Sequence, residues 1–393
     1  TKANEAKFRN DRGYYRMIQD LRTMGVTDAE IRQVLKQNNI GGIINRMNAK
    51  PLIINGDMQV AQRGTSTTGV TTSGYHTADR MQLSVSNQGT WTVAQSTDAP
   101  DGTGLSKSYR LDCTTADASP AAGDLLLVTY GFEGQDVQLL EKGTSAAKKV
   151  TIAFYVKSNK TGTYILELKD DNNRTINKSY TISSADTWEK KTITFAGDTS
   201  GALDNDNTSG FRVEFWLAAG STYSSGTLAT DWGSTTNANI AVGQVNLADS
   251  TSNEWYVTGV QLEAGTSASD FEFLPVDVNL QRCQRYFIRE YESASGDYHC
   301  YPGKGQGSNA VRFNFFTSCI LRASPSIAQS GNWRVFTDGG HGGDSSNTAT
   351  VLYFKTNTRN LALSVDGYSG LSDNEIYNIA TASMNSFDLD AEL

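Results

Sequence analysis

The sequence predicts a mainly β protein with an N-terminal helical hairpin, an antiparallel β-sandwich and a smaller C-terminal β domain. Only 19% of its 393 residues are charged and 36 are glycine, which is typical of short strands joined by polar turns. The 15 Phe, 17 Tyr and 6 Trp residues supply large apolar surfaces for burial. Apolar and polar residues alternate along most segments after residue 50. A chain of this length exceeds one ordinary core, so we expect two or three domains.

Charge and hydropathy argue against two classes of partner. The net charge of −8 and the isoelectric point near 5.1 disfavour nucleic acid, because phosphate binding requires a positive field. The chain has no run of 18 apolar residues, so we expect no membrane span. The four cysteines match no zinc-ligand spacing, and we expect them to be reduced and buried. A disulfide between Cys300 and Cys319 is the alternative.

Residues 1–50 predict a helical hairpin that covers about residues 4 to 39. Gly25 is a natural end for the first helix. Residues 27–30 (TDAE) form a capping box that begins the second. The apolar side chains at helical spacing are Tyr14, Ile18, Leu21, Ile31 and Leu35. Because so small a hairpin cannot bury this apolar stripe alone, it packs either on the β domain or on another protein.

Residues 51–275 predict an antiparallel sandwich of two sheets. Residues 51–57 (PLIINGD) indicate a first strand that ends in an Asn-Gly turn. Period-two alternation runs through residues 150–157, 164–169 and 211–217. Polar clusters such as residues 170–173 (DDNN) separate these segments, and helical periodicity is absent here.

Residues 276–393 predict a second β domain. Its first strand is expected at residues 284–291 (QRYFIREY), and the segments at 311–315, 351–354 and 361–365 also have strand character. No internal repeat is present, so neither a solenoid nor a parallel β-helix is expected.

Two sets of residues carry a resemblance to a known family. In the first set, residues 259–272 (GVQLEAGTSASDFE) follow a strand-like segment and lead through Pro275 into residues 279–287 (NLQRCQRYF). The second set consists of residues 132–140, 150–157 and 187–195. The first set resembles bacteriophage tail-fibre and virion-appendage proteins, particularly those of marine podoviruses. The second set resembles jelly-roll carbohydrate-binding modules in its order and spacing. The resemblance implies that the sandwich is a jelly roll like that of carbohydrate-binding modules.

The resemblance also implies a function and its partners. It points to a virion protein, made in the host cytoplasm, that attaches the particle to host surface polysaccharide. Phage fibres are usually trimers attached by their N-terminal ends, which implies a homotrimer whose N-terminal helices bind other virion proteins. Several weak sites on one particle then raise avidity. The alternatives are a capsid-decoration or tail-scaffold protein without a ligand, a tailspike-like polysaccharide-cleaving enzyme, and a secreted bacterial lectin.

Glycan binding requires aromatic rings that stack on sugars and polar groups that pair with hydroxyls. Tyr155 and Trp216 are predicted to point outward from their strands, with Arg212 and Glu214 beside Trp216. Two further tryptophans in polar, turn-rich sequence are candidates for the rim: Trp91 and Trp232. The alternative for each aromatic is ordinary packing within or between sheets.

Catalysis finds little support, and we expect a protein that is not an enzyme. The sequence has three scattered histidines and no catalytic motif. Glu214 and Glu167 are the candidate pair for glycoside hydrolysis, which uses two carboxyl groups, although outward glutamates on a sandwich are ordinarily solvated. No cofactor is expected, except that the resemblance places a structural calcium near Asp57. Thr258 and Gly259 stand where many such modules have an acidic residue.

Overall fold

Three antiparallel sheets make up the part of the protein that the structure describes. The computed structural model describes residues 51–290, 300–336, 344–345, 349–354 and 359–393. Outside these residues lies the predicted N-terminal hairpin, with Tyr14, Ile18, Leu21, Ile31 and Leu35. Leu52–Leu393 form one compact unit. Over the described ranges, no helix has the length and apolar character needed to cross a bilayer.

Short strands form the sandwich, as the alternation predicts. In chain order they are β1 (Ser66–Val70), β2 (Gly74–Tyr75), β3 (Gln82–Ser86), β4 (Thr90–Ser96), β5 (Ser108–Thr115), β6 (Leu125–Glu133), β7 (Val150–Ser158), β8 (Gly162–Asp170), β9 (Arg174–Ile182), β10 (Glu189–Phe195), β11 (Ser209–Ala219), β12 (Gly233–Ser234) and β13 (Glu254–Ala264). One helical turn, α1 (Ser221–Ser224), follows β11, and 3₁₀ helices lie at Gly134–Asp136, Gln138–Leu140, Asn237–Asn239 and Leu247–Asp249.

The strands divide between two sheets. The first sheet has the order β1-β4-β5-β13-β7-β10, and the second has the order β12-β9-β8-β11-β6-β3-β2. From β6 to β11 the chain passes repeatedly between the sheets, which is the connectivity typical of a jelly roll. The alternating segments 150–157, 164–169 and 211–217 lie in β7, β8 and β11, so their strand prediction is confirmed.

Aromatic side chains fill the space between the two sheets. Phe154 of β7 makes edge contacts with Phe215 and Tyr180 of the second sheet, at centroid distances of 5.1 and 5.2 Å. Trp255 lies 5.9 Å from Phe215, and both it and Trp91 are fully buried. Burial of each large side chain stabilises the fold by about 1.5–3 kcal/mol. The sandwich therefore depends on inward-facing residues from both sheets.

The segment before β1 contains the predicted Asn-Gly turn, but the strand predicted to lead into it at residues 51–57 is absent. Asn55 has a φ of +60°, a left-handed conformation that asparagine tolerates well. Its side-chain amide donates to the carbonyl oxygen of Val60 (2.8 Å), and its Oδ1 accepts from the Val60 amide (2.8 Å). These local bonds replace strand pairing.

A third sheet follows the sandwich. Helix α2 (Val276–Gln284) precedes the strands β14 (Phe287–Glu290), β15 (Cys300–Gln306), β16 (Ala310–Phe316), β17 (Ser326–Phe336), β18 (Asp344–Ser345), β19 (Ala349–Phe354), β20 (Asn360–Asp366) and β21 (Ile376–Asp390). The strand order is β18-β17-β21-β15-β16-β20-β19, and β14 also pairs with β21. This sheet packs its own apolar cluster, which includes Phe313, Phe315, Trp333 and Phe387.

Two details of the C-terminal region correct the sequence predictions. The strand expected at 284–291 begins only at Phe287, because α2 runs to Gln284 and buries Cys283. The alternative of a disulfide between Cys300 and Cys319 is wrong, since Cys319 is a buried free thiol.

Two arginines join the sandwich to the third sheet. Arg80 is 1% exposed, pairs with Glu392, and stacks on Tyr286 with 3.5 Å between its guanidinium carbon and the ring centroid. Arg63 lies 3.4 Å from the same carboxylate and 3.5 Å from the ring centroid of Phe287. Charge pairing and ring stacking therefore act together at a buried boundary between the two cores.

We predict that Arg80→Met destabilises the protein by about 3–5 kcal/mol, because it leaves a buried carboxylate without its main partner. The same change weakens the connection between the sandwich and the third sheet. Urea unfolding followed by tryptophan fluorescence measures both effects, and separate transitions for the two cores are expected in the variant.

The matched control is Arg110→Met. Arg110 also pairs with a glutamate, Glu254 (2.8 Å), and lies over a tyrosine, Tyr256, but its side chain is 31% exposed. Exposed pairs of this kind contribute up to about 1 kcal/mol. Equal losses in the two variants would contradict the role assigned to Arg80.

Candidate functional site

The outer face of the second sheet carries three rows of side chains across β6, β11, β8 and β9. Register places the members of each row directly opposite one another, with Cβ atoms about 4.5–5.5 Å apart. The apolar row is Leu127, Trp216, Ile165 and Ser179. The acidic row is Thr129, Glu214, Glu167 and Asn177. The cationic row is Gly131, Arg212, Lys169 and Thr175.

The three apolar side chains of the first row are covered, whereas Ser179 is exposed. Trp216 faces away from the main core, as predicted, but it is only 3% exposed. Residues 220–241 lie over it, with Tyr223 at a ring distance of 5.3 Å and with Ile240 and Ala241 in the same apolar cluster. The indole is therefore a packing element here, and its faces are not open to a sugar.

The acidic row is buried, which corrects the expectation of solvated glutamates. Glu167 is fully buried, and its two carboxyl oxygens accept from Thr175 Oγ1 and Trp216 Nε1, both at 2.7 Å. Glu214 is 7% exposed and is hydrogen-bonded to Glu167. Burial and the negative charge of Glu167 raise the pKa of Glu214 to about 8. The raised pKa favours the neutral carboxylic acid at pH 7, in which the Glu214 O–H donates a hydrogen bond to the Glu167 carboxylate.

The acidic pair does not match the arrangement of a glycoside hydrolase. A retaining enzyme needs a nucleophilic carboxylate that can reach the sugar, about 5–5.5 Å from the acid. Glu167 is enclosed, and both of its oxygens are already hydrogen-bonded. The pair can share a proton and can keep one acid neutral, but Glu167 cannot attack an external substrate without first breaking these bonds.

The cationic row opens to solvent. Arg212 is exposed and Lys169 is half-buried. Neither side chain lies within ion-pair distance of a carboxylate in the described part of the chain. Arg212 has one weak contact of 3.3 Å, from its Nε to the hydroxyl of Ser209. Of the charged side chains in these three rows, the two cations are the ones that remain available to a ligand.

The C-terminal region forms one wall beside this row. A Cβ atom on Gly131 would lie 3.4 Å from Leu393 Cδ1, an ordinary van der Waals distance, so Leu393 lies directly against this position of β6. Arg285, at the end of α2, donates to both carboxyl oxygens of the fully buried Glu133, at 2.6 Å each. On the opposite side, the covering segment 220–241 forms the second wall. The open strip lies between them.

Two buried polar atoms in the acidic row have no partner. The Thr129 hydroxyl and the Asn177 Oδ1 make no hydrogen bond within the described residues. Leaving a buried polar group unpaired costs about 1–3 kcal/mol. The acidic row therefore contains two buried polar atoms whose hydrogen bonds the surrounding described residues do not supply.

The other predicted glycan residues lie elsewhere. Trp91 is fully buried in the core and donates its indole N–H to the Gln88 carbonyl (2.7 Å), which corrects the expectation that it lines a rim. Tyr155 is half-buried on the outer face of the first sheet, with Lys190 Nζ 5.7 Å from its ring. Trp232 is also half-buried. It donates to the Ala196 carbonyl (2.8 Å) and packs against the core.

The surroundings of Asp57 do not fit a calcium ion. Asp57 is 5% exposed, and its carboxylate accepts from the amide nitrogen of Asn279 (3.2 Å). Burial raises its pKa. Calcium takes six to eight oxygen ligands, whereas this carboxylate faces an N–H donor. No group of three or more acidic, histidine or cysteine side chains suited to a metal occurs among the residues that the structure describes.

A cluster of oxygen atoms at the sandwich edge holds a lysine ammonium. Lys142 pairs with Asp170 and with Asp198 (3.1 Å), and it donates to the carbonyl oxygens of Ser200 (3.1 Å) and Gly201 (2.8 Å). Its side chain is 4% exposed. The internal cation satisfies these oxygens.

Sequence reasoning brought three residues of the site together and missed the others. It placed Arg212, Glu214 and Trp216 on one face, and it considered Glu167 as a partner of Glu214. It did not single out Lys169, although the alternation of β8 puts that residue on the same side as Glu167. The missing information was the pairing of β8 with β11.

Comparisons with known proteins find matches among solved structures only, and the similarity of these matches is low. No family model and no curated protein sequence matches the chain. A bacteriophage CBA120 tailspike protein 4 domain aligns with 55% of this chain at 12% identity and a TM-score of 0.29, and the match spans only 21% of that chain. The family 11 carbohydrate-binding module of a Clostridium thermocellum cellulosomal cellulase aligns over 55% of this chain and 96% of its own, at 13% identity and a TM-score of 0.25. The module TmCBM61, in complex with beta-1,4-galactotriose, aligns over 55% of this chain and 99% of its own, at 7% identity and a TM-score of 0.28.

We predict that stability falls between pH 5 and 8 through Glu214. Its pKa is about 8 in the folded protein and 4.5 ordinarily, so the folded state binds more protons in this window and loses stability as pH rises. Glu214→Gln keeps an N–H donor toward Glu167 and removes the titration. Relative to the variant, the wild type should lose more than about 1.4 kcal/mol, the equivalent of one pKa unit.

Denaturant unfolding of both proteins at pH 5, 6, 7 and 8 measures this difference. Subtracting the two curves cancels other titrating groups, such as Asp79, whose pKa burial raises to about 6. Parallel curves for wild type and variant would contradict the assignment.

Proposed function

We propose that this protein binds a glycan on the outer face of its second sheet, as part of a virion appendage that attaches the particle to a host cell. One observation supports the proposal most directly: Arg212 and Lys169 are unpaired cations on a strip of sheet that lies between two walls. A sugar offers many hydroxyls, and a polar strip of this kind pairs with them.

The virion role rests on the sequence resemblance. The segments at 259–272 and 279–287 resemble phage tail-fibre and appendage proteins. In that reading, the N-terminal helices dock on other virion proteins and the chain forms a homotrimer. A trimer presents three copies of the strip, and multivalency raises avidity by orders of magnitude when each single site is weak.

Two alternative functions are weaker on this structure. A decoration protein without a ligand leaves the unpaired cationic row unexplained. A tailspike-like cleaving enzyme requires a reactive carboxylate, whereas Glu167 is enclosed and hydrogen-bonded through both oxygens. Glycan binding without cleavage accounts both for the unpaired cations and for the enclosed Glu167.

A glycan array probed with the full chain tests the proposal. We expect wild type to bind at least one host surface glycan, and Arg212→Ala to weaken that binding about 10-fold or more, since hydrogen bonds to charged groups contribute about 1.5–3 kcal/mol. Arg110→Ala, on the outer face of the first sheet, removes an equivalent charge and should bind like wild type.

Three results would count against the proposal, two from the glycan array and one from an assay for released reducing sugars. Absence of binding to every glycan favours the decoration protein. Loss of binding in Tyr155→Ala, with Arg212→Ala unaffected, moves the site to the first sheet. Release of reducing sugars that stops in Glu214→Gln favours the cleaving enzyme.

A further inference from the structure

The outer face of the second sheet contains two like-charged pairs in adjacent rows. Register sets Glu214 opposite Glu167, and Arg212 opposite Lys169. Like charges directly opposite each other on neighbouring strands destabilise a sheet. Each pair therefore requires something that relieves the repulsion.

The acidic pair relieves its repulsion internally. Glu214 keeps its proton and shares it with Glu167, whose oxygens also accept from Thr175 and Trp216. One negative charge remains, and it is enclosed by the protein. The pair needs no outside partner.

The cationic pair cannot relieve its repulsion in this way. The side chains of arginine and lysine are hydrogen-bond donors only, so these two residues cannot share a proton as the two glutamates do. Neither Arg212 nor Lys169 has a carboxylate within ion-pair distance in the described ranges. With Glu214 neutral, these four side chains carry one net positive charge on a protein whose net charge is −8.

We infer that Arg212 and Lys169 form a site for an anionic group of the bound glycan, either a carboxylate or a sulfate ester. The inference rests on the proposed glycan-binding function and specifies its ligand class as acidic polysaccharide. The exposed Arg212 guanidinium presents a planar fork of donors that matches two oxygens of such a group. The half-buried Lys169 supplies a second charge from the neighbouring strand. The neutral Glu214 beside them does not repel the ligand.

Three polysaccharides serve as probes: dextran, dextran sulfate and polygalacturonate. They separate a neutral ligand, a sulfated ligand and a carboxylated ligand. We expect the full-length wild type to bind at least one acidic polymer and to bind dextran at least about 100-fold more weakly, which corresponds to about 2.7 kcal/mol. Binding to the acidic polymer should weaken as sodium chloride is raised from 0.05 to 0.5 M, because salt screens exposed charges.

The double variant Arg212→Ala/Lys169→Ala should lose this binding by about 100-fold. The exchange Arg212→Lys/Lys169→Arg keeps both charges but moves the guanidinium, so its binding should lie between that of wild type and that of the alanine double. The matched control is Arg110→Ala/Lys190→Ala, which removes the same charge from the outer face of the first sheet. This control should bind within about 3-fold of wild type. Equal losses of binding in the two double alanine variants would overturn the inference. They would show that the polymer is attracted by positive charge in general and not by a site on the second sheet.

Folding provides an independent measurement. Because Lys169→Met removes one member of a repulsive pair, its thermal unfolding midpoint at low salt should be higher than that of wild type. Addition of the acidic polymer should raise the unfolding midpoint of wild type only. A lower midpoint for Lys169→Met would show that the pair is not repulsive and would overturn the inference. Neutral glycan binding that Arg212→Ala removes, with no binding to acidic polymers, would leave the proposed function standing and overturn only this inference.

Discussion

The buried guanidinium of Arg80 determines how the sandwich and the third sheet fit together. It donates to the carbonyl oxygen of Gly131 on β6 (2.6 Å), stacks on Tyr286 after α2, and pairs with Glu392 near the chain end. A buried charge is tolerated only where partners surround it, so these three elements are held at one point. The same contact brings Leu393 over Gly131 and thereby builds one wall of the candidate site.

The outer face of the second sheet contains two like-charged pairs, and they differ in how their repulsion can be relieved. Glutamates that face each other become compatible when one of them stays protonated, and burial makes this favourable for Glu214. Arg212 and Lys169 cannot use that solution, and they lie on the part of the face that reaches solvent. Burial thus separates a self-contained pair from a pair whose charges face solvent, where we propose that an external anion binds.

Several features could be predicted from local pattern because they depend on local physics. Alternation at 150–157, 164–169 and 211–217 marked β7, β8 and β11, since side chains on a strand point to opposite faces in turn. The same reasoning placed Arg212, Glu214 and Trp216 on one side of β11. It failed at residues 51–57, where the side chain of Asn55 bonds to the backbone of Val60 and forms a turn.

The alternation of residues was enough to predict which side chains share a face of a strand, and it favoured antiparallel sheets joined by polar turns. Long-range contacts placed β8 beside β11, so that Glu167 faces Glu214 and Lys169 faces Arg212. They also placed residues 220–241 over Trp216 and Trp91 in the core. The reason is physical: side-chain direction follows from the local backbone, whereas pairing, register and burial depend on segments far apart in the chain.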